Sequence, residues 1–204
     1  MGPALVILAA GASSRLGECK ALASIGGRTA LEHLLAAAEG VFEGPAVVVT
    51  GAHHAEIQGS VLDLADAVEV RHNPDWSAGR LGGLRLGWEA RRGRDLCLAP
   101  VDCPLVPARV FEELARAWLA EGSPPRGWLA PRHGTGSAAR HGHPLFLGRE
   151  LEGELAGWAP DRSLRELRRI AGPVLGHPVE APEVLFDLDT PSDLAALRAH
   201  EARS

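Results

Sequence analysis

The chain has 204 residues with 46% hydrophobic content, a formal net charge of -5 and an isoelectric point near 6.0. This length supports a core without disulfides or metals, and the acidic balance argues against a nucleic-acid partner, which needs a basic surface. Three cysteines without a CxxC pair indicate neither a disulfide framework nor a zinc site. We therefore predict one cytoplasmic domain over residues 1–204. The amino-terminal residues suggest no signal peptide or membrane anchor.

Short apolar runs alternate with helical patterns along the chain. The apolar runs predict strands at residues 4–9, 46–50, 67–71, 95–99, 127–130, 144–147 and 184–188. Helices are predicted after Thr29, after Pro107, and after Thr190, which precedes a proline suited to the first helical position. This alternation predicts an α/β protein: a Rossmann-like three-layer α/β/α sandwich with a mainly parallel sheet. Ligands bind beyond the carboxyl ends of the strands in such folds.

The first predicted strand ends in a loop of small residues, LAAGASSRLGECK, at residues 8–20. Glycine and small side chains let backbone N–H groups approach a phosphate, and two cations, Arg15 and Lys20, follow them. The spacing fits neither a P-loop nor a dinucleotide fingerprint. A plain turn with solvated cations is the alternative. The residues predicted here to bind a nucleotide are Leu8, Ala9, Ala10, Gly11, Ala12, Ser13, Ser14, Arg15 and Lys20.

Three aspartates are candidate metal ligands. Asp102 follows a predicted strand, so it is expected at the same sheet edge as Gly11, where a carboxylate beside bound phosphates suits Mg²⁺. Asp187 and Asp189 are two positions apart, so in an extended segment both point to one face. The alternatives are structural, namely a turn role for Asp102 and a capping role for Asp189 or Thr190.

Gly82 and Gly83 fall in the first turn of a predicted amphipathic helix, where each glycine costs roughly 1 kcal/mol relative to alanine. Close approach of a base or phosphate would justify them, so both are predicted nucleotide contacts. A glycine-rich loop with a later helix start is the alternative. Residues 131–143 predict a mobile surface loop, and Cys103 is interpreted as a small buried residue rather than a nucleophile.

In order, these motifs resemble the MobA/MocA-like nucleotidyltransferases, the molybdenum-cofactor cytidylyl- and guanylyltransferases of the nucleotide-diphospho-sugar transferase fold. The signature LxxGxSxRxGxxK is present at residues 8–20, and the pattern D-x-D-T-P-x-D-L begins at Asp187. Asp102 precedes Cys103-Pro104 as the family's metal-binding aspartate precedes a proline. The chain departs from the family where Leu81-Gly82-Gly83 replaces a serine-rich turn and where Pro160 and Ser163 replace glycines.

The resemblance implies transfer of a nucleoside monophosphate from a nucleoside triphosphate to a phosphorylated acceptor such as molybdopterin, with release of pyrophosphate. Ala10 favours CTP, since guanylyltransferases typically carry a glycine there. The implied cofactor is Mg²⁺, held by Asp102 with Asp187 and Asp189 as further ligands. The implied catalytic residues are Arg15, Lys20 and Asp102. The implied acceptor-side residues are His143, Asp161 and Arg165.

The resemblance leaves several alternatives for the activity. They are GTP as donor, a sugar- or polyol-phosphate acceptor on the same fold, and a nucleotide-binding or chaperone module without catalysis. A product built on molybdopterin would be handed to a molybdoenzyme or to its chaperone.

Overall fold

An eight-stranded sheet forms the centre of the computed structural model, which describes residues 2–203. The strands in chain order are β1 (Ala4–Ala9), β2 (Ser24–Ile25), β3 (Arg28–Thr29), β4 (Ala46–Thr50), β5 (Val68–His72), β6 (Leu96–Pro100), β7 (Trp128–His133), β8 (Arg140–His141), β9 (Leu145–Leu147) and β10 (Val174–Pro178). The helices are α1 (Ala30–Ala37), α2 (His54–Ser60), α3 (Arg80–Ala90), α4 (Ala108–Ala120), α5 (Leu151–Glu154), α6 (Leu164–Ile170) and α7 (Pro191–Glu201). Strands β2 and β3 pair with each other outside the main sheet.

The strand order of the main sheet is β10-β7-β9-β6-β1-β4-β5, with β8 paired to β7. Strand β1 is parallel to both β4 and β6, whereas β9 runs antiparallel between β6 and β7. The chain leaves β1 through α1 on one face of the sheet, and it returns to the other side of β1 through α3 on the opposite face. The carboxyl end of β1 therefore lies at a topological switch point, where such sheets bind ligands.

Alternate residues of the central strands belong to two cores on opposite faces of the sheet. In β1, Leu5 and Ile7 pack with α1, α4 and α7, whereas Ala4 and Val6 pack with α3 and α6. Because both faces are covered, the strands read as continuous apolar runs rather than as an alternating pattern. The predicted three-layer sandwich is confirmed.

Two of the three predicted helix starts have the expected caps. Thr29 and Glu32 form a reciprocal capping box at α1, and Thr190 and Asp193 form another at α7. Thr190, rather than Asp189, therefore caps the last helix. The third helix, α4, begins at Ala108, and Pro107 is its N-cap residue.

Two predictions in the second half of the chain are wrong. Residues 184–188 are not a strand of the sheet, because Pro182–Leu185 form a 3-10 turn. The edge position belongs to β10, which was not predicted because none of its residues is buried and it contains Gly176 and Pro178. The predicted loop at residues 131–143 is partly strand, since β7 continues to His133 and pairs with β8.

Within residues 2–203, no helix combines the length and apolar character needed to cross a membrane.

Candidate active site

A cavity of about 470 Å³ opens where β1 and β6 end, at the switch point of the sheet. It brings together most of the predicted site residues. Those that line it are Leu8, Ala9, Ala10, Gly11, Ser13, Ser14, Arg15, Lys20, Gly83, Asp102, His143, Asp187 and Asp189. Those that are not among its lining residues are Ala12, Gly82, Asp161 and Arg165.

The loop after β1 is held in shape by Ser13. Its φ of 54° lies in the left-handed region, which costs a non-glycine residue roughly 1 kcal/mol. The Ser13 carbonyl accepts hydrogen bonds from Leu16 and Gly17, and its Oγ accepts one from the Lys20 backbone N–H at 3.1 Å. These bonds close the loop on itself, so that the small residues and both cations face one cavity.

The two cations of this loop share one carboxylate. Lys20 Nζ lies 2.5 Å from one oxygen of Asp189, and Arg15 Nη2 lies 2.9 Å from the other. The hydrogen bond from Lys20 is the main reason that the pKa of Asp189 is lowered. The Lys20 side chain is 15% exposed and that of Arg15 is 70% exposed, so Lys20 is the deeper of the two charges.

The other two aspartates form a separate acidic pair. Ligand atoms of Asp102, Asp187 and Cys103 all lie within 4.8 Å of one another. The Cys103 thiol donates to Asp187 at 3.5 Å, and burial together with the two carboxylates raises its pKa far above the usual range. The backbone N–H of Leu188 donates to the Asp102 carbonyl at 2.7 Å, which brings the two segments together.

The donor set of this acidic pair fits a hard divalent cation. Asp102 and Asp187 offer carboxylate oxygens, which Mg²⁺ and similar ions prefer. Cys103 is 1% exposed, and its sulfur is a soft donor that hard cations do not prefer, so we interpret it as a buried spacer. Its prediction as a small buried residue is confirmed.

His143 lines the cavity beside the acidic pair. Burial lowers its pKa, although Asp102 and Asp187 act in the opposite direction. Its Nδ1 is buried and has no hydrogen-bond partner within residues 2–203. The backbone is fixed by the bond from the His143 N–H to the Val184 carbonyl, at 3.0 Å. A polar ring atom is thus left ready for a ligand.

Several residues that line the cavity were not predicted as site residues, and three of them are polar or aromatic and close together in the chain. Asn73 and Trp76 lie between β5 and α3, Arg80 is the first residue of α3, and all three line the same cavity. Asn73 is 5% exposed, and its Nδ2 is buried without a partner. The signal was available, because β5 is parallel to β4 and ends at the same edge of the sheet as β1. Ligands bind beyond the carboxyl ends of parallel strands, so the prediction made for Gly11 and Asp102 extends to the residues after β5.

The glycines at the start of α3 are accounted for by packing. A Cβ on Gly83 would lie 3.3 Å from Leu8 Cδ2, and one on Gly82 would lie 3.1 Å from Asn73 Nδ2. Small residues let the first turn of α3 approach the end of β1, whether or not a ligand is bound there. The helix starts at Arg80, so the predicted position of both glycines in its first turn is confirmed.

The predicted acceptor segment lies at the edge of the cavity. Asp161 and Arg165 are exposed, whereas Leu164 between them lines the cavity. The carbonyl of Pro160 lies so close to Gly79 that a Cβ there would collide with it. This segment therefore rests directly on the loop that follows β5.

Residues 5–178 match the MobA-like NTP transferase domain family. The chain belongs to this family. The MobA-like family consists of nucleotidyltransferases, and the match spans both the first loop and Asp102. A search among proteins of curated function found no match.

Several solved structures are similar to this MobA-like protein. Rv0371c from Mycobacterium tuberculosis H37Rv has a TM-score of 0.77 at 24% identity, covering 98% of this chain and 99% of that one, and it has also been solved with manganese. Molybdopterin-guanine dinucleotide biosynthesis protein A from Archaeoglobus fulgidus has a TM-score of 0.71 at 20% identity, covering 98% and 99%. CMP:2-keto-3-deoxy-manno-octonic acid synthetase complexed with CTP has a TM-score of 0.78 at 18% identity, covering 100% and 99%. At these identities the likeness establishes the fold.

Proposed function

We propose that this MobA-like protein transfers CMP from CTP to the terminal phosphate of an acceptor, with release of pyrophosphate. The observation that carries the proposal is the division of charge in one cavity. Lys20 and Arg15 lie on the loop after β1, and the carboxylates of Asp102 and Asp187 lie beside the end of β6. A triphosphate needs cations, and the divalent ion that accompanies it needs carboxylates.

The proposed reaction depends more on aligning the acceptor phosphate with the α-phosphorus of the triphosphate than on proton transfer. The acceptor phosphate is already an anion, so it can attack the α-phosphorus without a strong base. The protein must hold two polyanions close together and offset the charge that develops at phosphorus. Lys20, Arg15 and the backbone N–H groups around Gly11 and Ser13 are the groups that would do this.

Asp102 and Asp187 are the proposed metal ligands. A divalent cation held there would supply positive charge next to the phosphates. The sequence prediction specified Mg²⁺, and a structural relative is known with manganese, so both ions belong in the test. Asp189 was also predicted as a ligand, but its carboxylate is bonded to Lys20 and Arg15. We therefore assign Asp189 to positioning these cations rather than to the metal.

The choice of CTP rests on Ala10, and it is consistent with the CTP complex of a structural relative. The proposed acceptor is molybdopterin, on the resemblance of the site motifs to the molybdenum-cofactor branch of the family. His143 would face that acceptor as a neutral imidazole, and Asp161 and Arg165 would meet it at the edge of the cavity. Handover of the product to a molybdoenzyme or its chaperone belongs to the same proposal.

The donor is tested by thermal shift with CTP, GTP, UTP and ATP, each with and without Mg²⁺ or Mn²⁺. Binding to the folded state raises the melting temperature by mass action, so the true donor with its metal gives the largest shift. In Asp102→Asn the metal-dependent part of the shift is expected to disappear. A nucleotide shift that is the same with and without metal in the natural protein would contradict the metal assignment.

Catalysis is tested by measuring pyrophosphate release with molybdopterin and with sugar and polyol phosphates as acceptors. Release with molybdopterin supports the proposed acceptor. Release with a sugar or polyol phosphate alone places the protein in another branch of the fold. Nucleotide binding without release for any acceptor would leave a non-catalytic binding module.

A further inference from the structure

The loop after β4 makes hydrogen bonds to the loop after β1, residues 10–20, which we call the first loop. The backbone N–H of Ala52 donates to the Ala10 carbonyl at 3.1 Å, and His53 Nε2 lies 3.2 Å from the Ala12 carbonyl. A Cβ on Gly51 would collide with the Ala10 carbonyl oxygen, so the two loops are in close contact. Residues 51–53 are therefore in a position to fix the backbone of the first loop at Ala10 and Ala12.

The second ring nitrogen of His53 also faces an acceptor. Its Nδ1 lies 3.1 Å from Oε1 of Glu56 in α2. A neutral imidazole has one N–H and one lone pair, so it can donate to Ala12 or to Glu56 but not to both. The imidazolium donates to both. The hydrogen bond with Glu56 accordingly raises the pKa of His53 above the ordinary histidine value of about 6.5.

The surroundings of His53 are simple. Within residues 2–203, Glu56 is the charged group that acts on the ring, and the neighbour from the first loop is the uncharged carbonyl of Ala12. The His53 side chain is 24% exposed, so protons reach it without any opening of the fold. None of the proposed metal ligands contacts it.

We propose that His53 is a positioning residue that, as an imidazolium, clamps the first loop in the shape that binds the triphosphate. This inference rests on the proposed function, because it concerns the same nucleotide site. The clamp is complete below the pKa of His53. It is lost as the pH rises through that pKa, since the neutral ring gives up one of its two hydrogen bonds.

Loss of the clamp is expected to weaken triphosphate binding by about threefold to tenfold, the effect of one net hydrogen bond. The experiment measures the dissociation constants of CTP and GTP, each with Mg²⁺, between pH 6 and pH 8.5. His53→Gln keeps an amide donor near the position of Nε2 but cannot titrate. Because the triphosphate itself gains and loses protons, the informative quantity is the ratio between the natural protein and the variant at each pH.

The expected result is a ratio that changes with pH and a midpoint that moves to lower pH in Glu56→Gln, which lacks the charge that stabilises the imidazolium. His177→Gln is the matched control, because this histidine lies in β10, at the edge of the sheet and four strands away from β1. It is expected to follow the natural protein. An NMR titration of the His53 ring supplies its pKa independently.

Parallel pH profiles for the natural protein and His53→Gln would overturn the clamp while leaving the proposed function in place. The same holds if the NMR titration places the pKa of His53 at or below the ordinary value. Failure of CTP and GTP to bind the natural protein at every pH would instead overturn the proposed nucleotide site, and the clamp with it.

Discussion

Lys20 is the only lysine in a chain whose lysines and arginines together number 21, and it lies in the cavity with its Nζ bonded to Asp189. Elsewhere the chain uses arginine, including Arg15 in the same loop. A lysine carries a compact point charge with three rotatable donors, whereas the guanidinium is broad and planar. In a partly buried pocket this difference in shape decides which side chain fits.

Lys20→Ala is expected to lower kcat by about 10² to 10³, the loss typical of one charge contact in the transition state. Lys20→Arg is expected to restore less than the full rate, because the larger guanidinium does not fit where Nζ lies against Asp189. Both are measured as pyrophosphate release with the donor that gives the largest thermal shift. Unchanged turnover in Lys20→Ala would remove this residue from the mechanism.

The elements around the site act mainly by bringing backbone segments close together. The loop after β4 touches the loop after β1, and Gly51 lies at the contact, against Ala10 and Trp76. The first turn of α3 approaches β1 in the same way through Gly83. These glycines therefore allow close contacts between different elements, and such contacts cannot be predicted from the local sequence pattern.

Gly51→Ala is expected to destabilise the fold by about 1 to 3 kcal/mol, because the added methyl must displace backbone on the first loop. Nucleotide binding should weaken as well. The measurements are the urea midpoint and the dissociation constant of the donor. Gly59→Ala is the control, since a Cβ there meets nothing within 4 Å and α2 gains about 0.5 to 1 kcal/mol from alanine. Equal behaviour of the two variants would contradict the contact.

For the molecule as a whole, the helix caps and ion pairs determine the response to acid. Hydrogen bonds and ion pairs lower the pKa of several carboxyls, those of Glu32, Glu69, Glu166, Asp189 and Asp193. A carboxyl whose pKa is lower in the folded state stabilises the fold above its unfolded pKa. That stability is lost as the pH falls through the folded pKa.

The melting temperature is therefore expected to fall progressively below about pH 5, where unfolded aspartates and glutamates begin to take up protons. Scanning calorimetry between pH 3 and pH 7 measures this. In Glu32→Gln, which keeps an acceptor for the Thr29 N–H but not the charge, the difference between pH 7 and pH 3.5 should shrink. A melting temperature that stays constant to pH 3 would show that these bonds contribute nothing.

Local patterns predicted most of the framework. The strands β1, β4, β5 and β6 were predicted to within one residue, and the buried strands β1, β4 and β6 are apolar runs because both faces of the sheet are covered there. The edge of the sheet at β10 was not predicted. β10 has no buried residue. Residues 184–188 have an apolar pattern but do not form a strand, since the first two belong to the 3-10 turn Pro182–Leu185.

The sequence by itself determined the family of the protein, the loop of small residues with its two cations, and three aspartates at one edge of the sheet. The tertiary structure alone decided how these charges divide. Asp187 joins Asp102, whereas Asp189, only two positions further on, pairs with Lys20 across 169 positions of chain. Such pairings depend on how distant segments pack against each other, and spacing along the chain carries no information about that distance.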